Sequence, residues 1–145
     1  ALRYVNSWYL SIYDEAGVLA AVHAGRVGAR IGIVPAVIDT MRELGARPER
    51  IGAFLGPAAS GAKYEVPASM AADVEQHLPG SRCRTEKGTD GLDLRAGIRR
   101  QLQGLGVAAV AEDPRCTISD PTLFSHRRGA PTGRLASVIW IDTPK

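Results

Sequence analysis

The strongest constraint in this chain is a rhythm. Short runs rich in β-branched, aliphatic and aromatic residues alternate with longer stretches whose apolar residues recur at helical spacing. A strand presents one face at a period of two and a helix one stripe at a period of 3.6, so the alternation asks for a sheet with helices laid on it. Tyr4 to Tyr13 reads as a strand, Asp14-Glu15-Ala16-Gly17 as a turn and Val18 to Val22 as the return strand of an antiparallel pair. A helix then carries Ile33, Val37, Met41 and Leu44 on one face, with Pro35 in its first turn and Gly45 as its C-terminal cap. Ile51 to Leu55 is a further strand. Pro67 opens a helix with Met70, Val74 and Leu78 inward, stopped by Pro79-Gly80. Asp93 is a good N-cap for a helix carrying Ile98, Leu102 and Leu105, which ends near Gly106. Val107 to Val110 reads as a buried strand and Leu135 to Ile141 as the last one. The expected class is α/β (α+β), a mixed β-sheet flanked by helices.

A length of 145 residues suits one domain, 1–145, with its own apolar core. The net charge of +3 comes from basic residues scattered among acids, with no run of five or more, which gives little support to a nucleic-acid partner. No stretch approaches the roughly 18 consecutive apolar residues of a membrane span, so no membrane partner is expected. Cys83 and Cys116 stand far apart and in no zinc-finger spacing; a reducing cytoplasm fits, and a single disulfide remains open. Arg82 and Arg84 flank Cys83 and can lower its thiol pKa, but no base nearby in sequence completes a nucleophilic pair. The chain starts at Ala1 rather than Met, directly in a strand-like pattern, which reads as a fragment, a processed chain or a missing upstream region.

Three strand-end loops combine glycine with polar or cationic groups. In His23-Ala24-Gly25-Arg26-Val27-Gly28, glycine lets the backbone approach a ligand, and His23 can ligate a metal or act as acid or base; the competing reading is a satisfied histidine beside structural turns. In the loop from Gly56 to Pro67, the functional side chains are Ser60, Lys63 and Glu65; in the competing reading Tyr64 anchors a tight connection to the core. The third group is Cys116-Thr117, Phe124-Ser125-His126-Arg127-Arg128 and Thr132-Gly133-Arg134. Its Arg127, Arg128 and Arg134 supply forked donors for phosphate or carboxylate oxygens, unless they form a solvated basic turn. His77 reads as a surface residue near a helix end.

Taken in order, these loops resemble the YfiH-type laccase-domain family, long labelled multicopper polyphenol oxidase. That family's His-Ala-Gly-Trp-Arg-Gly is matched by His23 to Gly28, and its Gly-Pro…Tyr-Glu-Val by Gly56-Pro57 and Tyr64-Glu65-Val66. Its Leu-Asp-Leu and following Gln-Leu are matched by Leu92-Asp93-Leu94 and Gln101-Leu102. The closing Cys-Thr, Phe-Ser-x-Arg-Arg and Thr-Gly-Arg-x-Ala-Ser series is matched by Cys116-Thr117, Phe124 to Arg128 and Thr132 to Ser137. Members are usually longer at the N-terminus, so the chain is expected to correspond to their later portion. The resemblance implies a cytoplasmic zinc enzyme that phosphorolyses purine nucleosides, including methylthioadenosine, and deaminates adenosine. Its partners would be a purine nucleoside and phosphate. The older label implies copper-dependent oxidation of phenols, and a role in correcting peptidoglycan precursors has been attached to the family.

The resemblance carries His23 as the first zinc ligand, with His77 as the candidate for the second histidine. It makes His23, Arg26 and Lys63 the catalytic candidates and Ser60, Tyr64, Glu65, Arg127, Arg128 and Arg134 the substrate- and phosphate-binding ones. The zinc cysteine normally lies just before Tyr-Glu-Val, where this chain has Ala62 and Lys63, and the Trp-Arg of the first motif is replaced by Arg26-Val27. Zinc chemistry needs about three protein ligands, so zinc is doubtful here, whereas phosphorolysis can run on positioning and anion stabilisation. Copper fits least, because three histidines cannot build the clusters that copper centres need. The alternative to an enzyme is a diverged, inactive member with a degraded zinc site that acts as a binding protein.

Overall fold

The computed structural model describes residues 9–14 and 17–142. Strands β1 (Tyr9–Asp14), β2 (Leu19–His23), β3 (Ile51–Leu55) and β6 (Ala109–Glu112) form one sheet in the order β2-β1-β3-β6. A hairpin of β4 (Arg82–Arg84) and β5 (Asp90–Leu92) stands apart from it. The helices are α1 (Arg26–Arg30), α2 (Ile33–Glu43), α3 (Ala68–His77) and α4 (Leu94–Gly104), with a short 3-10 turn at Pro48–Arg50. The mixed sheet flanked by helices is as expected from the sequence rhythm.

The pleat sorts the strands into two faces. Leu10, Ile12 and Asp14 of β1 lie opposite Leu55, Ala53 and Ile51 of β3, all buried, and α2 and α4 pack there with Val34, Ile38, Met41, Ile98 and Leu102. Burying side chains of this size contributes about 1.5–3 kcal/mol each before chain entropy is counted, and this face is where the fold gets its stability. The opposite face shows Tyr13 and Phe54, 49% and 42% exposed.

Several boundaries differ from the sequence reading. Residues 4–8 of the first predicted strand lie outside the described residues. In α2 the buried stripe is Val34, Ile38 and Met41, one residue on from Ile33 and Val37, and Leu44 is 67% exposed because it is the C-cap and the chain turns away there. Gly45 and Gly106 end α2 and α4 with positive φ, as their positions predicted. Asp93 caps α4 by accepting from the Ala96 amide at 3.1 Å. The strand expected at Val107 to Val110 begins two residues later, at the sheet edge, with only Val107 buried.

The strand expected from Leu135 to Ile141 is not one. The segment keeps an alternating burial pattern but joins no ladder among the described residues. It lies against the outer face instead, where Ser137 Oγ is 3.2 Å from Ser11 Oγ, and Val138, Trp140 and Ile141 point to solvent. A period of two records which side chains face inward and is silent on whether a neighbouring strand is there to pair. The hairpin and α1 escaped the sequence reading because both are too short to show a period.

Candidate active site at the carboxyl edge of the sheet

Strand β1 runs antiparallel to both β2 and β3, and β3 runs parallel to β6. So β2, β3 and β6 share one direction, and the register sets His23 opposite Tyr9, Leu55 opposite Leu10 and Leu55 beside Glu112. Their carboxyl ends fall on one edge, and each ends where one of the three candidate loops begins. Strands lie about 4.8 Å apart, which puts the starts of the first and second loops about 10 Å from each other. Ligands of open α/β sheets settle outside such an edge.

The second and third loops are stitched together. Ala58 pairs with Cys116 as a parallel continuation of β3 and β6: the Thr117 amide donates to the Ala58 carbonyl at 3.0 Å and the Asp113 amide to the Leu55 carbonyl at 2.8 Å. Arg95, 8% exposed on α4, donates to the Asp113 carbonyl and pins the start of the third loop. Within the second loop the Lys63 and Tyr64 amides both donate to the Ser60 carbonyl, at 3.0 and 2.9 Å. Tyr64 is buried and its carbonyl accepts from the Leu92 amide, so the anchoring role weighed for it from the sequence is present. Gly61 lies so close to the hairpin that a Cβ there would stand 2.8 Å from Cys83 Sγ and 2.9 Å from Asp93 Cβ.

A cleft of about 280 Å³ opens between the second loop and the hairpin, lined by Ala62, Lys63, Glu65, Thr85, Glu86, Lys87 and Ile118. Lys63 Nζ forms an ion pair with Glu86 Oε1 on its wall, and the Glu86 amide donates to the Ala62 carbonyl at 3.1 Å. Glu86 was not singled out from the sequence, since 23 residues separate it from Lys63 and no local pattern joins them.

The three arginines of the third loop divide. Arg128 donates to the carbonyls of Thr117, Asp120 and Leu123, which folds the loop around its guanidinium. Arg134 donates to its own neighbours, the Thr132 and Gly133 carbonyls. Arg127 sits with its guanidinium carbon over the Tyr64 ring, 4.6 Å from the ring centre, and donates through Nη1 to the Glu65 carbonyl at 3.3 Å, beside the cleft.

The cysteines reverse the sequence expectation. Burial pushes the Cys83 thiol up, with Asp93 adding to it, and the flanking Arg82 and Arg84 turn instead to Asp90. At Cys116 burial also opposes ionisation, but donors from Ser60 and Ser119 outweigh it and hold the thiol at about 7; the Ser60 amide is 3.3 Å from Sγ. Both cysteines are free, with no disulfide between them.

The first loop belongs to a different neighbourhood. Arg30 of α1 makes a two-pronged ion pair with Asp73 of α3, whose carboxylate is held below its ordinary value by that bond first, then by the charges of Arg30, His77 and Arg26. His77 Nδ1 is 2.9 Å from the Asp73 carbonyl oxygen, one helical turn back. Loss of hydration lowers the pKa of His23, which favours its neutral ring at neutral pH, and Nε2 lies over Gly25.

These placements test the implied zinc. Among the described residues no group of three or more His, Cys, Asp or Glu side chains can hold a metal ion. His77 faces the backbone of its own helix, and position 63 brings an ammonium. Among the described residues, the donors do not make up a zinc site of two histidines and a cysteine.

An open, mostly co-directional sheet with glycine loops and a cleft gathered at its carboxyl edge makes this an α/β domain of the kind whose ligands settle at that edge. The chain belongs to the family described as multi-copper polyphenol oxidoreductase laccase, whose model matches residues 9–142. It is 62% identical over 127 residues to a purine nucleoside phosphorylase of Corynebacterium glutamicum, covering 88% of this chain and 52% of that protein. It is 60% identical over 128 residues to a purine nucleoside phosphorylase of Mycobacterium tuberculosis, covering 88% and 51%. The crystal structure of a hypothetical protein YfiH of Bacillus licheniformis superposes with a TM-score of 0.74 at 27% identity, covering 86% of this chain and 50% of that one. A Neisseria meningitidis protein superposes with a TM-score of 0.75 at 28% identity, covering 90% and 55%. The chain thus spans about half the length of the curated relatives it matches. Among the described residues no helix is long and apolar enough to cross a membrane.

Proposed function

We propose that this chain contributes the phosphate- and sugar-binding edge of a purine nucleoside phosphorylase that works in the cytoplasm. The observation that carries this reading is 62% identity, across 88% of the chain, to a protein named for that activity. In such a reaction a phosphate oxygen attacks the anomeric carbon, the glycosidic bond breaks, and the purine leaves with the bonding electrons and takes up a proton. Catalysis then asks for a fixed cation at the phosphate, acceptors for the sugar hydroxyls and a proton donor at the base.

The cleft residues suit the first two needs. Lys63 and Arg127 supply cationic donors for phosphate oxygens, and Ser60 adds a hydroxyl on the same loop. The Glu65 carboxylate accepts from sugar hydroxyls. Arg128 acts on the pocket by shaping the loop that carries Arg127, and Arg134 by local bonding beside it. His23, at the end of β2, carries one N–H donor and one acceptor in its neutral form and is the acid or base candidate, with Arg26 following it. Inosine, adenosine and methylthioadenosine are the substrates to assay. Adenosine deamination is assayed beside them.

A second reading, a fold that binds nucleoside or phosphate without turnover, is favoured by one observation, that among the described residues no group of His, Cys, Asp and Glu side chains can hold a metal ion. Purified protein incubated with inosine, with and without phosphate, separates the two. Phosphate-dependent release of hypoxanthine and ribose 1-phosphate is expected. Binding of inosine with no base released over many hours would replace the phosphorylase reading with the second one.

A further inference from the structure

We propose that Glu86 sets the ligand chemistry of the cleft by selecting an oxyanion that carries a proton, inorganic phosphate, over sulfate. The inference rests on the cleft being the phosphate seat of the proposed reaction. Three observations carry it. The wall interleaves acceptors with donors, Glu65 and Glu86 beside Lys63 and Lys87. The Glu86 carboxylate is paired with Lys63 through Oε1. The backbone beneath it is held independently of that pair. The Glu86 amide donates to the Ala62 carbonyl at 3.1 Å, the Thr85 amide donates to the Thr89 carbonyl at 2.9 Å, and the hydroxyls of Thr85 and Thr89 meet at 2.6 Å.

Hydrogen phosphate and sulfate are tetrahedral dianions of the same shape and charge. They differ in one proton, since phosphate keeps a P–OH at neutral pH and sulfate does not. An ionised carboxylate only accepts, with two oxygens and about four lone-pair sites, so its bond to Lys63 leaves capacity for a P–OH. A sulfate in the same seat offers that carboxylate lone pairs alone, and two negative groups then face one another. A site built to hydrogen-bond a hydroxyl rejects the analogue that lacks it, because its own polar group is left unpaired. Lys63 has three donors, so one ammonium serves Glu86 and the anion together. The hairpin turn keeps the carboxylate at the seat when the ligand arrives. A counter-ion that did no more than neutralise Lys63 would show no preference between the two anions.

Calorimetric titration of the purified protein with sodium phosphate and with sodium sulfate, near neutral pH and at matched ionic strength, tests this. The wild type is expected to bind phosphate at least about tenfold more tightly than sulfate. In Glu86→Gln the two affinities are expected to fall within about threefold of each other, chiefly because sulfate binds more tightly. Thermal melts establish that the variant is folded, and the wild-type ratio is a test that needs no variant. Equal affinities in the wild type, no phosphate binding at all, or an unchanged ratio in Glu86→Gln would each overturn the inference. A preference that collapses in the variant, with no nucleoside turnover by the wild type, keeps this inference and removes the phosphorylase reading. Phosphate-dependent turnover together with equal wild-type affinities for the two anions does the reverse.

Discussion

The two sides of the carboxyl edge are built differently. On the side of the second and third loops, backbone amides and carbonyls cross from one segment to the next, and the polar side chains stand on that frame. On the side of the first loop, α1 and α3 are joined by a half-exposed ion pair, Arg30 with Asp73, and His77 leans on its own helix. A backbone frame can hold a ligand-binding group in place; a surface ion pair adds little rigidity, because water and salt compete for both partners. The difference sets the cleft on the framed side.

Four changes would break or sharpen this contrast. Arg128→Ala should act most strongly, since it leaves three carbonyls of the third loop without their donor; a loss of about 2–4 kcal/mol is expected in denaturant unfolding. An unchanged midpoint would mean that the loop is not held by this guanidinium. Gly61→Ala should follow, at about 1–3 kcal/mol, as the new methyl drives Cys83 and Asp93 away from the second loop.

Next comes alkylation. With its thiol near 7, Cys116 should carry adduct first when iodoacetamide is added at pH 7.5, with Cys83 lagging because its pKa is raised. Peptide mass spectrometry reads the order, and faster labelling of Cys83 would refute the donor arrangement around Cys116. The smallest effect belongs to the first-loop side: Arg30→Ala should lower the melting temperature by no more than about a degree or two.

Acid titration adds a check on the frame. Asp113, at the head of the third loop, is lowered to about 2 chiefly by its bond to Arg115. Its folded pKa lies below its ordinary value of 3.8, so its contribution is complete above about pH 4 and is lost as pH falls toward 2. Asp113→Asn should flatten that part of the stability profile. A variant with the same acid slope as wild type would show that the bond is not made in solution.

Much of this architecture was legible in the residues. Val74 and Leu78, Ile98 and Leu102, and the cap at Asp93 announced their helices through spacing and chemistry that act within a few residues. The glycine loops also announced themselves, because a strand that ends in His-Ala-Gly or Leu-Gly-Pro must turn there. What stayed hidden is long-range. Glu86 meets Lys63 only after the hairpin folds back, Arg95 reaches the third loop from α4, and Asp73 is brought to Arg30 by helix packing. The arginines were visible as a cluster, but only the fold tells the one that shapes the loop, Arg128, from the one that lies beside the cleft, Arg127. The final strand was misread because alternation is a property of one segment and pairing a property of two.

The central claim is that anion binding belongs to the framed side of the edge. Titrating inorganic phosphate into the 15N-labelled protein and following its amide resonances tests that most directly. The account predicts saturable shifts concentrated at Ser60 to Glu65, Thr85 to Lys87 and Arg127. Shifts confined to His23 to Arg30 and α3, with the second loop and hairpin unmoved, would contradict it.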